Sequence, residues 1–271
     1  MRFVLNICVW IIRWLPKGVL ARTAYAFLRI VKYRKSVVYK NIDHVDLLVE
    51  KDEFYKRYLR YVSRLITEIL KFNPNKNASA VFLEKGNTFE KIHEAPRSII
   101  LASHYSNWEL ICTVLPTHID IPVYGIYKPL KNKIFDNWIK ERRGALSLNL
   151  VAVNELPRLM IEHQKSDKKA IYILISDQNP KSKNNAIWTN FLGVKTPFFN
   201  GPEKLSTKFD LPVFYMRVDA RENYFEYSVA FEKVDADAVI QSYAHLLGKQ
   251  ISENPRYWLW SHKRWKRSVE Y

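Results

Sequence analysis

The chain has 271 residues, 48% of them apolar and 26% charged, with 43 Lys and Arg against 27 Asp and Glu. A domain takes about 100–200 residues, so the length suits one large domain or a compact one with an appendage. Aromatics at 14% exclude a disordered chain, and 7 Gly with 2 Cys exclude a collagen repeat or a disulfide-stapled module. The net charge of +16 calls for an anionic counterpart: nucleic acid, an anionic membrane face or an acidic partner.

Up to Ile42 the chain carries nine basic residues, from Arg2 and Arg13 to Lys35 and Lys40, and no acid. Phe3, Val4, Leu5, Ile7, Val9, Trp10, Ile11, Ile12, Trp14 and Leu15 are woven among them, followed by Val19, Leu20, Phe27, Leu28 and Ile30. A membrane span needs about 20 apolar residues in a row. Arg13, Pro16 and Lys17 interrupt this run, and no small-residue cleavage site follows it. Tryptophans beside lysines and arginines suit a helix lying in the water–lipid boundary. The expectation is an interfacial membrane-anchor helix over residues 1–35, with residues 36–271 forming a single α/β domain. Cys8 and Cys112 both sit among apolar residues and read as two buried thiols, which places the protein on the cytoplasmic side.

Residues 37–72 show helical spacing through Tyr55, Tyr58, Leu59, Val62, Leu65, Ile66 and Ile69, closed by Asn73-Pro74-Asn75. Short apolar runs then predict strands at Ser98–Ala102, Pro122–Ile126, Leu148–Val153, Ala170–Ile175 and Leu211–Val218, with a hairpin partner at Tyr224–Phe231. Helical patterns fall between them at 106–116, 131–143, 154–165 and 201–209, and a last helix at 235–253. Asn154 is placed to cap the third, with Pro157 in its first turn. The alternation predicts an α/β fold with a mostly parallel central sheet flanked by helices. The closing segment, Tyr257 to Arg267, is again aromatic and basic. Such interleaving also serves single-stranded nucleic acid, but no nucleic-acid fold signature accompanies it and the other basic cluster is greasy.

The chemistry concentrates in Ile99-Ile100-Leu101-Ala102-Ser103-His104-Tyr105-Ser106-Asn107-Trp108-Glu109. An apolar strand runs into a histidine, then a polar turn, then a glutamate that opens a helix. Five residues apart, His104 and Glu109 would face about 140° away from each other on one helix. With His104 in the turn and Glu109 in the first helical turn, the carboxylate can reach the ring. It would fix the tautomer and leave the other nitrogen as a base. Strand ends in open α/β sheets are also where ligands bind. A structural histidine bonded to a loop backbone is the plain alternative.

This stretch resembles the His-x4-Asp/Glu box of glycerolipid-type acyltransferases. More narrowly, the chain resembles the lipid A biosynthesis lauroyl/myristoyl acyltransferase family. Tyr127-Lys128-Pro129-Leu130-Lys131-Asn132 with Arg143-Gly144 is similar to its Tyr-Arg-Pro-Leu-x-Asn segment, and Asp177-Gln178 to its Asp-Gln or Asp-His step. Phe191-Leu192-Gly193, Thr196 and Gly201-Pro202 resemble its Phe-x-Gly and Thr-Gly-Pro region. The close, Trp258 through His262 and Arg264 to Lys266, is similar to its Trp-x-x-His-Arg-Arg-Phe-Lys. One departure is Lys128, where the family usually has Arg: a point charge replaces a bidentate fork, which bears on how the acceptor is recognised.

The resemblance implies transfer of a fatty acyl chain from an acyl carrier protein thioester to a hydroxyl of a lipid A precursor or related membrane lipid, at the cytoplasmic face of the inner membrane. No cofactor or nucleic acid enters that reaction. His104 and Glu109 are then the expected general-base pair, with Lys128, Asn132, Arg143, Asp177, Gln178, His262 and Arg264 as expected substrate-binding residues. Arg143 is also a candidate donor to the oxyanion. The rivals are an acyltransferase for an aminolipid or lysophospholipid, a metal hydrolase built on His104, Glu109, Asp177 and His262, and a non-catalytic lipid-binding protein.

Overall fold

The computed structural model describes residues 14–45, 47–129, 132–180, 182 and 185–268. Its strands are β1 (Val81–Leu83), β2 (Arg97–Ala102), β3 (Val123–Tyr127), β4 (Asn149–Ala152), β5 (Ala170–Ile175), β6 (Ala186–Phe191), β7 (Val194–Phe199), β8 (Val213–Ala220) and β9 (Tyr227–Lys233). The helices that matter to the site are α1 (Lys17–Ile30), α2 (Lys35–Asp43), α3 (Lys51–Lys71), α4 (Asn87–Glu94), α5 (Trp108–Val114), α6 (Lys133–Arg143), α7 (Leu156–Lys165), α8 (Gly201–Phe209) and α9 (Val239–Glu253).

A run of apolar residues with no polar break demands burial on both faces, which a central parallel strand provides. Ile99, Ile100, Leu101 and Ala102 of β2 are accordingly inaccessible. Ile99 and Leu101 enter one core with α3, α9 and the carboxyl-terminal tryptophans, while Ile100 and Ala102 enter the other with Ile92 of α4 and Ile111 of α5. The side-chain period of two thus divides one strand between two layers of helices. The seven strands run in the order β1-β9-β8-β2-β5-β3-β4. All neighbours pair parallel except β8 with β9, the expected hairpin, so the sheet is mixed but mostly parallel.

Several features escaped the sequence reading. The region of helical spacing over 37–72 is divided into two helices, α2 and α3, a break the spacing did not show, and Glu50 caps the second by accepting from the Asp52 and Glu53 amides. Asn154 does not cap α7; Glu155 stands at its N-cap without a side-chain bond, although Pro157 does lie in the first turn. Strands β6 and β7 form a separate antiparallel ribbon. Its tip is Leu192-Gly193, both at positive φ (52° and 83°), the backbone hand that matches strand twist in a two-residue turn.

The expected anchor falls partly on residues 1–13, which lie outside the described residues, as does Cys8. The described part forms α1, which packs on α3 and buries Leu28 while Val19, Phe27, Ile30 and Val31 remain exposed beside Arg22 and Arg29. No described helix is long and apolar enough to cross a membrane.

Candidate active site

Register explains how the site forms. Strands β2 and β5 pair in parallel with a constant offset, from Arg97 opposite Ala170 to Ala102 opposite Ile175. The Ser176 amide extends the ladder to the Ala102 carbonyl at 3.2 Å. Two residues beyond each strand end stand His104 and Asp177. The His104 amide donates to Asp177 Oδ2 at 2.9 Å, and ring Nδ1 lies 2.6 Å from Oδ1. Trp258 Nε1 donates to Oδ2 at 2.9 Å.

Asp177 is buried, and burial pushes a carboxyl pKa up. The charge of His104, its ring hydrogen bond, the Trp258 N–H and the His104 amide outweigh that and hold it at about 2. Burial pulls His104 down, but Asp177 dominates and Glu109 adds to it, so the imidazole sits above its ordinary value of 6.5. With Nδ1–H committed to Asp177, the ring's Nε2 is left as the basic atom. Its neighbour is the Gln178 amide nitrogen at 3.1 Å, and the side chain keeps 18% of its surface exposed. The Trp108 ring meets the imidazole edge-on at 4.9 Å.

The expected hydrogen bond from the His104 ring to the Glu109 carboxylate is not formed. Ser106 turns the chain at positive φ (52°), and Asn107 caps α5 by accepting from the Leu110 amide at 3.1 Å. Glu109 in the first turn instead meets Arg143 in a fork, Nε to Oε2 at 2.7 Å and Nη2 to Oε1 at 2.5 Å. Burial draws the Arg143 pKa down, and Glu109 more than restores it, leaving the guanidinium above its ordinary value. The ring-orienting position that the spacing assigned to Glu109 is occupied by Asp177. The signal was present in the sequence: His104 and Asp177 each follow a buried strand by two residues.

Trp108, Glu109 and Arg143 border two apolar hollows. One, about 230 Å³, continues between Ile69, Phe72 and Trp138. The other, about 50 Å³, descends past Cys112, Leu148 and Ile173 under the sheet. Burial pushes the Cys112 thiol up to about 12, so it is an inert apolar wall.

The other expected residues are spread more widely. Lys128 is exposed beyond β3. Asn132 Oδ1 accepts from the Ile134 amide at 3.1 Å at the start of α6. Arg264 is fully buried, with its guanidinium 4.2 Å from the Phe198 ring centroid and Nη1 3.2 Å from Asn179 Oδ1. Burial lowers its pKa to about 10 despite the attraction of Asp177. His262 is held near 4, chiefly by burial, and its Nδ1 finds no partner among the described residues. The carboxyl-terminal tryptophans 258, 260 and 265 pack on Phe191 and on one another inside the core. Among the described residues no group of three or more His, Cys, Asp or Glu is placed to hold a metal ion.

The family model for bacterial lipid A biosynthesis acyltransferases matches residues 1–267, so the chain belongs to that family. Its general chemistry is therefore acyl transfer in lipid A and lipopolysaccharide synthesis, in association with a membrane. A search of curated proteins returned no significant match.

Proposed function

We propose that the protein moves a fatty acyl chain from an acyl carrier protein thioester to a hydroxyl of a lipid A precursor, with His104 as general base. The observation that carries this reading is the 2.6 Å contact of His104 Nδ1 with a buried Asp177 at the strand ends, which leaves Nε2 as the basic atom. Nε2 removes the acceptor proton as its oxygen attacks the thioester carbonyl. The new C–O bond forms, the C–S bond breaks, and the imidazolium returns its proton to the leaving thiolate. Asp177 orients the ring and stabilises the imidazolium without taking the proton, as the carboxylate of a serine-protease triad does. Glu109 takes part by holding Arg143, whose guanidinium is a candidate donor to the tetrahedral oxyanion. The apolar hollow beside this pair suits an acyl chain.

Gln178 occupies Nε2 until the acceptor hydroxyl displaces it. Lys128, Asn132, His262 and Arg264 remain candidates for substrate binding; of these, Lys128 has the exposure to meet a headgroup directly. The exposed apolar and basic surface of α1 supports residues 1–35 as an interfacial anchor on the cytoplasmic side of the inner membrane, and residues 36–271 as one acyltransferase domain. The reaction written this way needs no cofactor.

The test is to incubate membranes with the protein and labelled acyl carrier thioester, then weigh the lipid that gains mass. A lipid A precursor heavier by one acyl chain is expected, and His104→Ala should lower the rate about 10²–10⁴-fold. Unchanged turnover in that variant overturns the mechanism; mass gained by another lipid moves the acceptor.

A further inference from the structure

A further hollow, about 390 Å³, lies between α3, the end of β8 and the segment following α9. Its walls carry Arg57, Arg60, Arg64, Arg221 and Arg256, with Glu222 as the one acid among them. Like charges around one concavity repel each other, so those without a carboxylate partner favour a compensating anion. Two of the five are already paired with carboxylates, and Arg256 Nη2 donates to the Tyr257 hydroxyl at 2.8 Å. Arg64 donates to Glu68 and to the carbonyls of Arg221 and Asn223, closing the β8–β9 turn, and Arg57 meets Glu53 at 3.3 Å.

Arg60, Arg221 and Arg256 make no salt bridge among the described residues. Each instead lies over an aromatic ring: Arg60 5.9 Å from the centroid of Tyr25, Arg221 4.5 Å from Phe82 and Arg256 4.6 Å from Tyr257. A ring steadies a guanidinium without neutralising it, and leaves most of its N–H donors for another acceptor. This is the arrangement of a site waiting for an oxyanion that can accept several forked donors at once.

The pocket shares its walls with the catalytic turn. Tyr61, which lines it, donates to the Ser106 carbonyl at 2.8 Å, and the Tyr257 carbonyl accepts from the Ser106 amide at 2.8 Å. Tyr25 belongs to α1, whose outer face exposes Phe27 and Ile30. The hollow therefore lies beside both the histidine turn and the surface best suited to lipid. Its volume falls within the range of small-ligand pockets, whereas an acidic protein would be met by a flatter face.

We propose that Arg60, Arg221 and Arg256 form a binding site for a phosphate ester, seating the phosphorylated headgroup of a lipid beside the His104 turn. The assignment of that headgroup to the acyl acceptor rests on the proposed acyl transfer; the phosphate site itself does not.

The test is equilibrium binding of the full chain to phosphatidylcholine vesicles with and without phosphatidic acid, and to inorganic phosphate in solution. Vesicles carrying oleic acid in place of phosphatidic acid control for charge alone. Wild type and His104→Ala should both prefer phosphatidic acid. Each Arg→Gln substitution at 60, 221 or 256 should weaken that preference about five-fold, and the triple variant about a hundred-fold. All three sites are exposed, so an unchanged melting temperature is expected, and Arg221→Lys, which keeps charge but loses the fork, should recover only part of the binding.

Tight inorganic phosphate binding lost in the triple variant, without vesicle preference, keeps the site and assigns it to free phosphate. Variants that bind phosphatidic acid like wild type overturn the proposal, as does equal binding of oleic acid vesicles. Loss of acyl carrier protein binding with phosphatidic acid binding retained also overturns it, in favour of a protein-docking face. No arm needs turnover, so failure of the acyl-transfer reading shows separately.

Discussion

His104 and Asp177 have opposite pH signatures because each stabilises the other's charged form. The histidine is raised above 6.5 and Asp177 is held at about 2. The stability that the histidine's shift contributes is fully present below 6.5 and is lost as pH rises through its raised value. The aspartate's share is present above its ordinary 3.8 and is lost as pH falls through about 2. The proposed mechanism requires the neutral ring, so it predicts a rate that climbs where the histidine's contribution to stability fades. The acid limb of kcat/KM should accordingly lie above 6.5 in wild type. Asp177→Asn should move that limb down and lower kcat by up to about 10⁴-fold, as loss of a ring-orienting aspartate does elsewhere. A pH–rate profile alongside melting curves at matched pH checks both signs, and an unmoved limb would show that the aspartate does not set the histidine's titration.

Helix α3 supports the His104 turn from behind through one carboxylate. Glu68 is inaccessible. It accepts from Asn107 Nδ2 at 2.8 Å, Tyr227 O–H at 2.5 Å, Arg64 Nε at 2.8 Å and the Phe225 amide at 2.9 Å. Its removal leaves these donors, the Arg64 cation among them, without their acceptor. Glu68→Ala should cost about 3–5 kcal/mol, read as a lowered denaturation midpoint. Because Asn107 also caps α5, the Glu109–Arg143 fork should loosen with it. Arg143→Lys tests that fork directly. A lysine cannot span both carboxylate oxygens, so turnover should fall while stability changes by less than about 1 kcal/mol at this partly exposed pair. Equal losses in both would make the pair structural.

At the scale of the molecule, part of the charge of +16 gathers on α1 and around one hollow beside it. Helix α1 presents Phe27 and Ile30 to solvent beside Arg22 and Arg29, and the arginine-lined hollow opens next to it. Phe27→Glu with Ile30→Glu removes apolar area from the face proposed to meet lipid and adds charge of the same sign as an anionic bilayer. Both positions are exposed, so the fold should persist while sedimentation with phosphatidylglycerol vesicles drops about ten-fold or more. Retained sedimentation would move the membrane contact away from α1.

The fold was legible where the sequence alternates cleanly. Runs such as Ala170–Ile175 can be satisfied only by a strand covered on both faces, and the helices between such runs had to cover them. What stayed hidden was marked by weak local patterns: the three-residue β1, and the β6–β7 ribbon, whose turn is readable only from backbone hand. In the site, the chain alone singled out the His104 turn and offered Glu109 as the partner of its ring. It could not choose the ring's carboxylate, because Glu109 is five residues away and Asp177 is 73. Parallel register made the distant residue the neighbour, and a capped turn rotated the near one toward Arg143. Local pattern is written in covalent order, whereas hydrogen-bond partnership follows from which strands the core brings side by side.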